Sequence, residues 1–169
     1  MPLEDILARR SVRRYTGQPI SEESIQDLLR AAMSAPSAGN ARPWQFVVIR
    51  DRGILDAIPR FHEHAGMLTQ ANVAILVCAD LQLVKHEEQY WIQDCSAATE
   101  NILLAAQSLG LGAVWLGVYP VEERIAKLRE MLGLPAHIIP FSLIPVGYPA
   151  ENKDREDRYQ KERVHYNRW

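Results

Sequence analysis

The stretch Ala97-Ala98-Thr99-Glu100-Asn101-Ile102-Leu103-Leu104-Ala105-Ala106-Gln107-Ser108-Leu109-Gly110-Leu111-Gly112-Ala113-Val114-Trp115-Leu116-Gly117 sets the architecture. Its first half carries small or apolar residues on nearly every face of a helix, and such a helix wants burial all round. Gly110 is a suitable helix stop, after which residues 112–118 read as a buried strand. The glycines superficially suggest a dinucleotide-binding loop. That loop, however, follows a strand and opens a helix, whereas here a helix precedes the glycines, a strand follows, and the third glycine is misplaced.

Upstream, the spacing of Ile25, Leu28, Leu29, Ala32 and Met33 predicts an amphipathic helix over 21–33, with Ser21 as its N-cap and Glu22 and Glu23 in the first turn. Turn formers at 36–40 feed a strand over 44–49. Residues 73–79 form a continuous apolar run fit for an interior strand, and 141–146 are similar though interrupted by Pro145. Helices are expected from about 91 to 109 and over 121–132, the latter preceded by Pro120 and stopped by Gly133. Without repeats or linkers, 1–169 reads as one α+β domain. After Pro149 the character changes: the tail (about 151–169) interleaves acids and bases and ends in Val164-His165-Tyr166-Asn167-Arg168-Trp169. Terminal aromatics would be wasted in water, so the tail is expected to dock on its own domain or on a second subunit.

Composition narrows the function. The chain has 169 residues, 47% hydrophobic and 24% charged, enough to bury a core and unlike a disordered chain or a disulfide scaffold. A net charge of -2 argues against a nucleic-acid binder. The longest apolar run, 71–79, is about half of a membrane span. Acidic residues stand near the N-terminus where an export signal would be basic, and Cys78 and Cys95 have neither disulfide nor metal spacing, so a cytoplasmic protein is expected.

Against this acidic background Arg9-Arg10-Ser11-Val12-Arg13-Arg14 stands out. Guanidinium forks match phosphate oxygens and a serine adds a donor, so the segment is a candidate anion site; the competing reading is a solvated basic stretch paired with Glu4 and Asp5. The loop Pro36-Ser37-Ala38-Gly39-Asn40-Ala41-Arg42-Pro43-Trp44 offers hydroxyl and amide groups from Ser37 and Asn40, although on composition alone local turn bonding is the favoured account of it. His62-Glu63-His64 lacks the spacing of a helical zinc pair, no serine has a nucleophile-elbow context, and neither cysteine has a basic neighbour.

Three motifs in order carry more than any one of them: Arg9-Arg10-Ser11-Val12-Arg13-Arg14-Tyr15, then Ala35-Pro36-Ser37-Ala38-Gly39-Asn40-Ala41-Arg42-Pro43-Trp44-Gln45-Phe46, then Gly110-Leu111-Gly112-Ala113-Val114-Trp115-Leu116-Gly117. Together they resemble the FMN-dependent nitroreductase family over essentially the whole chain, and the terminal Val-His-Tyr-Asn-Arg-Trp looks like the ending of its compact branch. The resemblance implies an α/β/α sandwich with a central, mostly antiparallel sheet and an interlocked homodimer holding FMN at the subunit interface. It implies hydride transfer from NAD(P)H through the flavin to an electron-poor small acceptor such as a nitroaromatic or quinone. By position, Arg9 or Arg10 and Ser11 match phosphate and ribityl contacts, and Arg13 matches the base at the pyrimidine edge. Pro36, Ser37 and Asn40 match a loop contributed by the partner subunit. Trp115, Leu116 and Gly117 match the strand end against the ring, where a backbone N–H reaches N5. Arg158 aligns with a second phosphate-binding arginine, Arg155 being the alternative. No side chain need act as a nucleophile. Larger members carry a lysine or amide residue where this chain reads His62-Glu63-His64-Ala65-Gly66-Met67, so the source of that flavin contact stays open. Dehalogenation, azoline oxidation and flavin fragmentation occur on the same fold, and a flavin-binding sensor or carrier is the alternative from another class.

Overall fold

A continuous apolar run is satisfied only in a sheet covered on both faces. In the computed structural model, which describes residues 2–85 and 89–169, that run is β2 (Val73–Asp80), flanked by β1 (Trp44–Ile49) and β5 (Ile138–Gly147). The sheet order is β1-β2-β5-β3, with β3 (Gly112–Ala113) and β4 (Leu116–Gly117) both pairing with β5, and every strand pair is antiparallel. Val73, Ile75, Val77 and Ala79 face a core shared with α2 (Glu22–Met33) and α4 (Tyr90–Ser108). Ala74, Leu76 and Cys78 face a second core with Leu55 of α3 (Arg52–Ala57) and Leu128 of α5 (Glu122–Leu132). Helices therefore cover both faces, the expected α/β/α sandwich. Local signals act as expected: Ser21 accepts a hydrogen bond from Ser24 N at 3.1 Å, and Gly133 closes α5 in the left-handed region.

Residues 112–118, expected as one strand, form two short ones. β3 and β4 keep a common register on β5, and extending it puts Val114 opposite Pro145. Proline has no N–H to give to a ladder, so pairing lapses there and resumes at Leu116. A second irregularity inserts one extra residue in β5: Val77 pairs with Ser142 but Cys78 with Pro140. Phe141 and the following Ser142 thus both turn toward α4, as a bulge allows. Phe141 meets Trp91 and Trp115 edge-on at centroid distances of 6.2 and 5.8 Å, and the Ser142 and Thr99 hydroxyls lie 2.8 Å apart.

Residues 9–16, after α1 (Pro2–Ala8), run as an arm along the sheet. Val12 N donates to Ala113 O at 3.0 Å, Thr16 N to Tyr148 O at 3.0 Å, and Arg13 N to a Glu151 carboxylate oxygen at 2.6 Å. The arm lies where two glycines leave room. A Cβ on Gly112 would stand 2.6 Å from Val12 Cγ1, and one on Gly147 would stand 2.7 Å from Tyr15 Cδ1. Tyr15 is buried, which pushes its phenol pKa up, and its hydroxyl donates to Val12 O at 2.8 Å.

The tail bonds its own domain only at its start, where Lys153, Asp154 and Arg155 meet the arm and α1; its aromatic end is uncovered, Tyr166 at 81% exposure and Trp169 completely. Among the described residues no helix is long and apolar enough to cross a membrane.

Overpacking a tight contact costs about 1–3 kcal/mol. Gly147→Ala and Gly112→Ala are each expected to lower unfolding free energy in urea by about that amount, while Gly66→Ala, whose Cβ meets nothing within 4 Å, changes it little. Equal denaturation midpoints for all three would refute the seating of the arm.

Candidate functional site

Hydrogen bonds to the sheet hold the arm's side chains in register, and they converge. Arg9, Arg10, Ser11 and Arg13 line a cleft of about 270 Å³ together with Lys153 and Arg158. Arg10 is braced by its own surroundings: Nε donates to Asp154 O at 3.0 Å, and Nη1 to Arg9 O at 2.8 Å and Leu7 O at 3.1 Å. Its Nη2 is buried without a partner among the described residues. A buried donor left unmade is costly, and an anion oxygen would satisfy it. Lys153 Nζ donates to Ser11 O at 2.5 Å, which draws the tail over the arm. Arg9 Nε lies 3.2 Å from Glu100, and Arg158 Nε 3.1 Å from Glu156. Arg155 instead pairs with Glu4 at 2.9 Å and lines a different cleft. Five cations and a hydroxyl around one space suit a phosphate dianion. Lys153 was not legible in the sequence, since nothing distinguishes it within an alternating tail.

A second cleft, of about 440 Å³, shares Arg13 with the first and is lined by His62, Glu63, His64, Gly66, Met67, Trp115, Leu116 and Gly117. At Gly66 and Gly117 a Cβ would meet nothing within 4 Å, so the absent side chains leave open floor for a flat group. The Gly117 carbonyl is bound twice, by His62 Nε2 at 3.0 Å and by Arg124 Nη1 at 2.9 Å. Because its partner is a carbonyl, His62 Nε2 carries the hydrogen. Burial, and then the neighbouring Arg124 charge, hold the imidazole pKa below its usual value, so the ring is a neutral donor near neutral pH. Glu63 and His64 pair at 3.3 Å on the rim. The sequence marks the His62-Glu63-His64 segment without giving His62 this partner, and gives Arg124 no signal, because both act through backbone that only folding brings near.

Pro36, Ser37 and Asn40 line neither cleft of the same chain. Their loop is stiffened from within: Ser37 Oγ accepts from Arg42 N at 2.9 Å, and Asn40 N donates to Ser37 O at 3.0 Å. Gly39, Asn40 and Arg42 take left-handed backbone angles. Asp94, buried on α4, accepts from Ala38 N at 2.9 Å and ties the loop to the core. Cys78 and Cys95 are buried, which pushes the Cys78 thiol up to about 12 and raises Cys95 as well, so neither is a nucleophile.

Comparison with known proteins gives the family. A profile described as the Nitroreductase family matches residues 6–67 and 61–148. An Archaeoglobus fulgidus protein provisionally named NADH dehydrogenase/NAD(P)H nitroreductase is 51% identical over 170 residues, covering 99% of this chain and 98% of that one. A crystal structure from Parabacteroides distasonis, with the same provisional name, superposes with a TM-score of 0.94 at 45% identity, covering 99% of this chain and 98% of that chain. A provisionally named nitroreductase from Desulfovibrio desulfuricans, solved in complex with FMN, superposes with a TM-score of 0.86 at 35% identity, covering 99% and 97%. With an arm of arginines, an antiparallel sandwich and matches across nearly its whole length, the chain belongs to the nitroreductase family.

Proposed function

We propose that this protein is an FMN-dependent oxidoreductase that passes hydride from NAD(P)H to an electron-poor small acceptor, and that it works as a homodimer with FMN at the subunit interface. The observation that carries this reading is the pair of clefts joined at Arg13, one cationic with a buried unpartnered Arg10 nitrogen, the other floored by glycines. The two suit the two ends of one mononucleotide. Arg9, Arg10, Ser11, Lys153 and Arg158 would hold its phosphate. Trp115, Leu116 and Gly117 would lie against the ring, with the Gly117 N–H toward N5. Pro36, Ser37 and Asn40 would complete the site from the second copy.

When bound, FMN supplies the redox chemistry, taking hydride from the nicotinamide and passing electrons to the acceptor. The chain's own residues position and polarise. Arg13, which lines both clefts, would supply a fixed cation to the negative charge that a reduced flavin carries, which would favour two-electron reduction. The neutral His62 ring serves as a hydrogen-bond donor within the cleft wall. Two features support the homodimer: the aromatic tail finds no cover on its own domain, and Leu3, Ile6, Leu7 and Met33 are exposed beside an apolar groove bounded by Leu104 and Ala105.

The purified protein is expected to be yellow and to bleach anaerobically with NADH or NADPH. Colourless protein that refuses added FMN removes the proposal, and tight FMN binding without bleaching replaces it with a carrier. Losing a charge-assisted phosphate bond, Arg10→Ala should weaken FMN binding about tenfold to a hundredfold by fluorescence titration. Gly117→Ala, which meets no protein atom, should keep the native melting temperature and still lose FMN affinity; unchanged affinity would mean that no ring approaches that residue. Deleting residues 152–169 should produce monomers in sedimentation equilibrium, and a persistent dimer would exclude the tail from the interface.

A further inference from the structure

Gly117 is where the two-strand edge of the sheet meets the ring cleft. Its carbonyl accepts from two donors that reach it from separate elements: His62 Nε2 at 3.0 Å, from the segment preceding β2, and Arg124 Nη1 at 2.9 Å, from the first turn of α5. A carbonyl oxygen has two lone pairs, and these two bonds use both. The arrangement is unusual in what it restrains. Glycine is the residue whose peptide reverses at least cost; in the same peptide unit the Val118 N–H donates to Phe141 O at 3.2 Å, so the two donors on the carbonyl and this one sheet bond are what hold it. Both donors are themselves held. His62 is 1% exposed, and Arg124 Nη2 lies 3.7 Å from the Glu63 carboxylate.

The state of the flavin gives this restraint a consequence. Oxidised FMN presents an acceptor at N5, which an N–H donor suits. Reduced FMN carries a hydrogen there, and a glycine carbonyl free to turn would accept it. Hydrogen bonds to the ring nitrogens are one of the means by which a protein tunes a flavin.

We propose that His62 and Arg124 are positioning residues that clamp the Gly117 carbonyl toward themselves, so that the cleft withholds an acceptor from the N5 edge of FMN and leaves there only the donor of the preceding peptide, the Gly117 N–H. The clamp rests on reading this cleft as the ring site with the Gly117 N–H at N5. Its effect is to hold reduced FMN less tightly, relative to oxidised FMN, than a free glycine would, and so to favour release of electrons to the acceptor. It also gives the protein a reason to bury a histidine beside an arginine, at the cost of keeping that imidazole neutral.

The test measures binding of oxidised and of dithionite-reduced FMN to the native protein and to His62→Ala, His62→Gln and Arg124→Met, with the midpoint potential of each holoprotein as a second readout. His62→Ala is expected to raise the preference for reduced FMN about threefold to tenfold, an upward move of about 30 mV at the tenfold limit for a two-electron couple. His62→Gln, which restores an N–H donor, should stay within about twofold of native. Arg124→Met, which removes the second donor without opening the core, should move in the same direction as His62→Ala. The clamp is overturned if Arg124→Met leaves the preference unchanged, or if His62→Gln shifts it as far as His62→Ala does, since ring shape would then matter and not the donor. Failure of the native protein to bind FMN would instead remove the functional reading; failure of the clamp leaves FMN binding and bleaching intact.

Discussion

Two missing methyl groups hold the site together. Val12 and Tyr15 occupy space that a side chain at Gly112 or Gly147 would fill, and that contact seats the arm from residue 9 to residue 16 against the sheet. Everything cationic in the first cleft hangs from this seat. The arm's hydrogen bonds to Ala113 and Tyr148 set its register, and the bond from Arg13 N to Glu151 draws the tail, and with it Lys153, over the same space. That bond holds the Glu151 carboxyl below its usual pKa range. A protein with a small net negative charge can therefore present a concentrated positive cleft, because position rather than composition decides local charge.

Irregularity in β5 does the corresponding work for the second cleft. Pro145 interrupts the ladder opposite Val114, which frees the chain around Trp115 from regular pairing before it rejoins at Leu116. The extra residue at Phe141 turns an aromatic ring under Trp115. The wall that carries Trp115, Leu116 and Gly117 is thus a deliberate break in a sheet, backed by Trp91, Phe141 and the buried Thr99–Ser142 hydroxyl pair. His62 from the cleft lining and Arg124 from α5 both donate to the Gly117 carbonyl of that wall.

The loop at 36–42 is stiffened by its own bonds and by Asp94, yet it contributes nothing to either cleft of its own chain. A preformed polar loop outside both clefts, and an aromatic tail end left in solvent, are the surfaces that the proposed second copy would cover. Both features support the dimeric reading from the same physical argument: ordering and exposing such groups is unfavourable unless something covers them.

The sequence by itself determined the elements and the α+β class, and its three ordered motifs, by resemblance, implied the sandwich. Period and length marked the helices at 21–33 and 121–132, the run at 73–79 demanded a doubly covered strand, and the order of helix, glycine and strand at 97–117 excluded a dinucleotide fold; these are local properties, written in spacing. It also marked Arg9, Arg10, Ser11 and Arg13, because a run that with Arg14 holds four arginines is visible in an acidic chain without coordinates. Tertiary structure alone decided why Gly112 and Gly147 must be glycine, why 112–118 is two strands, that Lys153 and Arg158 rather than Arg155 join the cationic cleft, and that His62 and Arg124 converge on Gly117. Each of these is a contact between residues distant in the chain, through backbone atoms that carry no residue identity, and no pattern along one dimension encodes it.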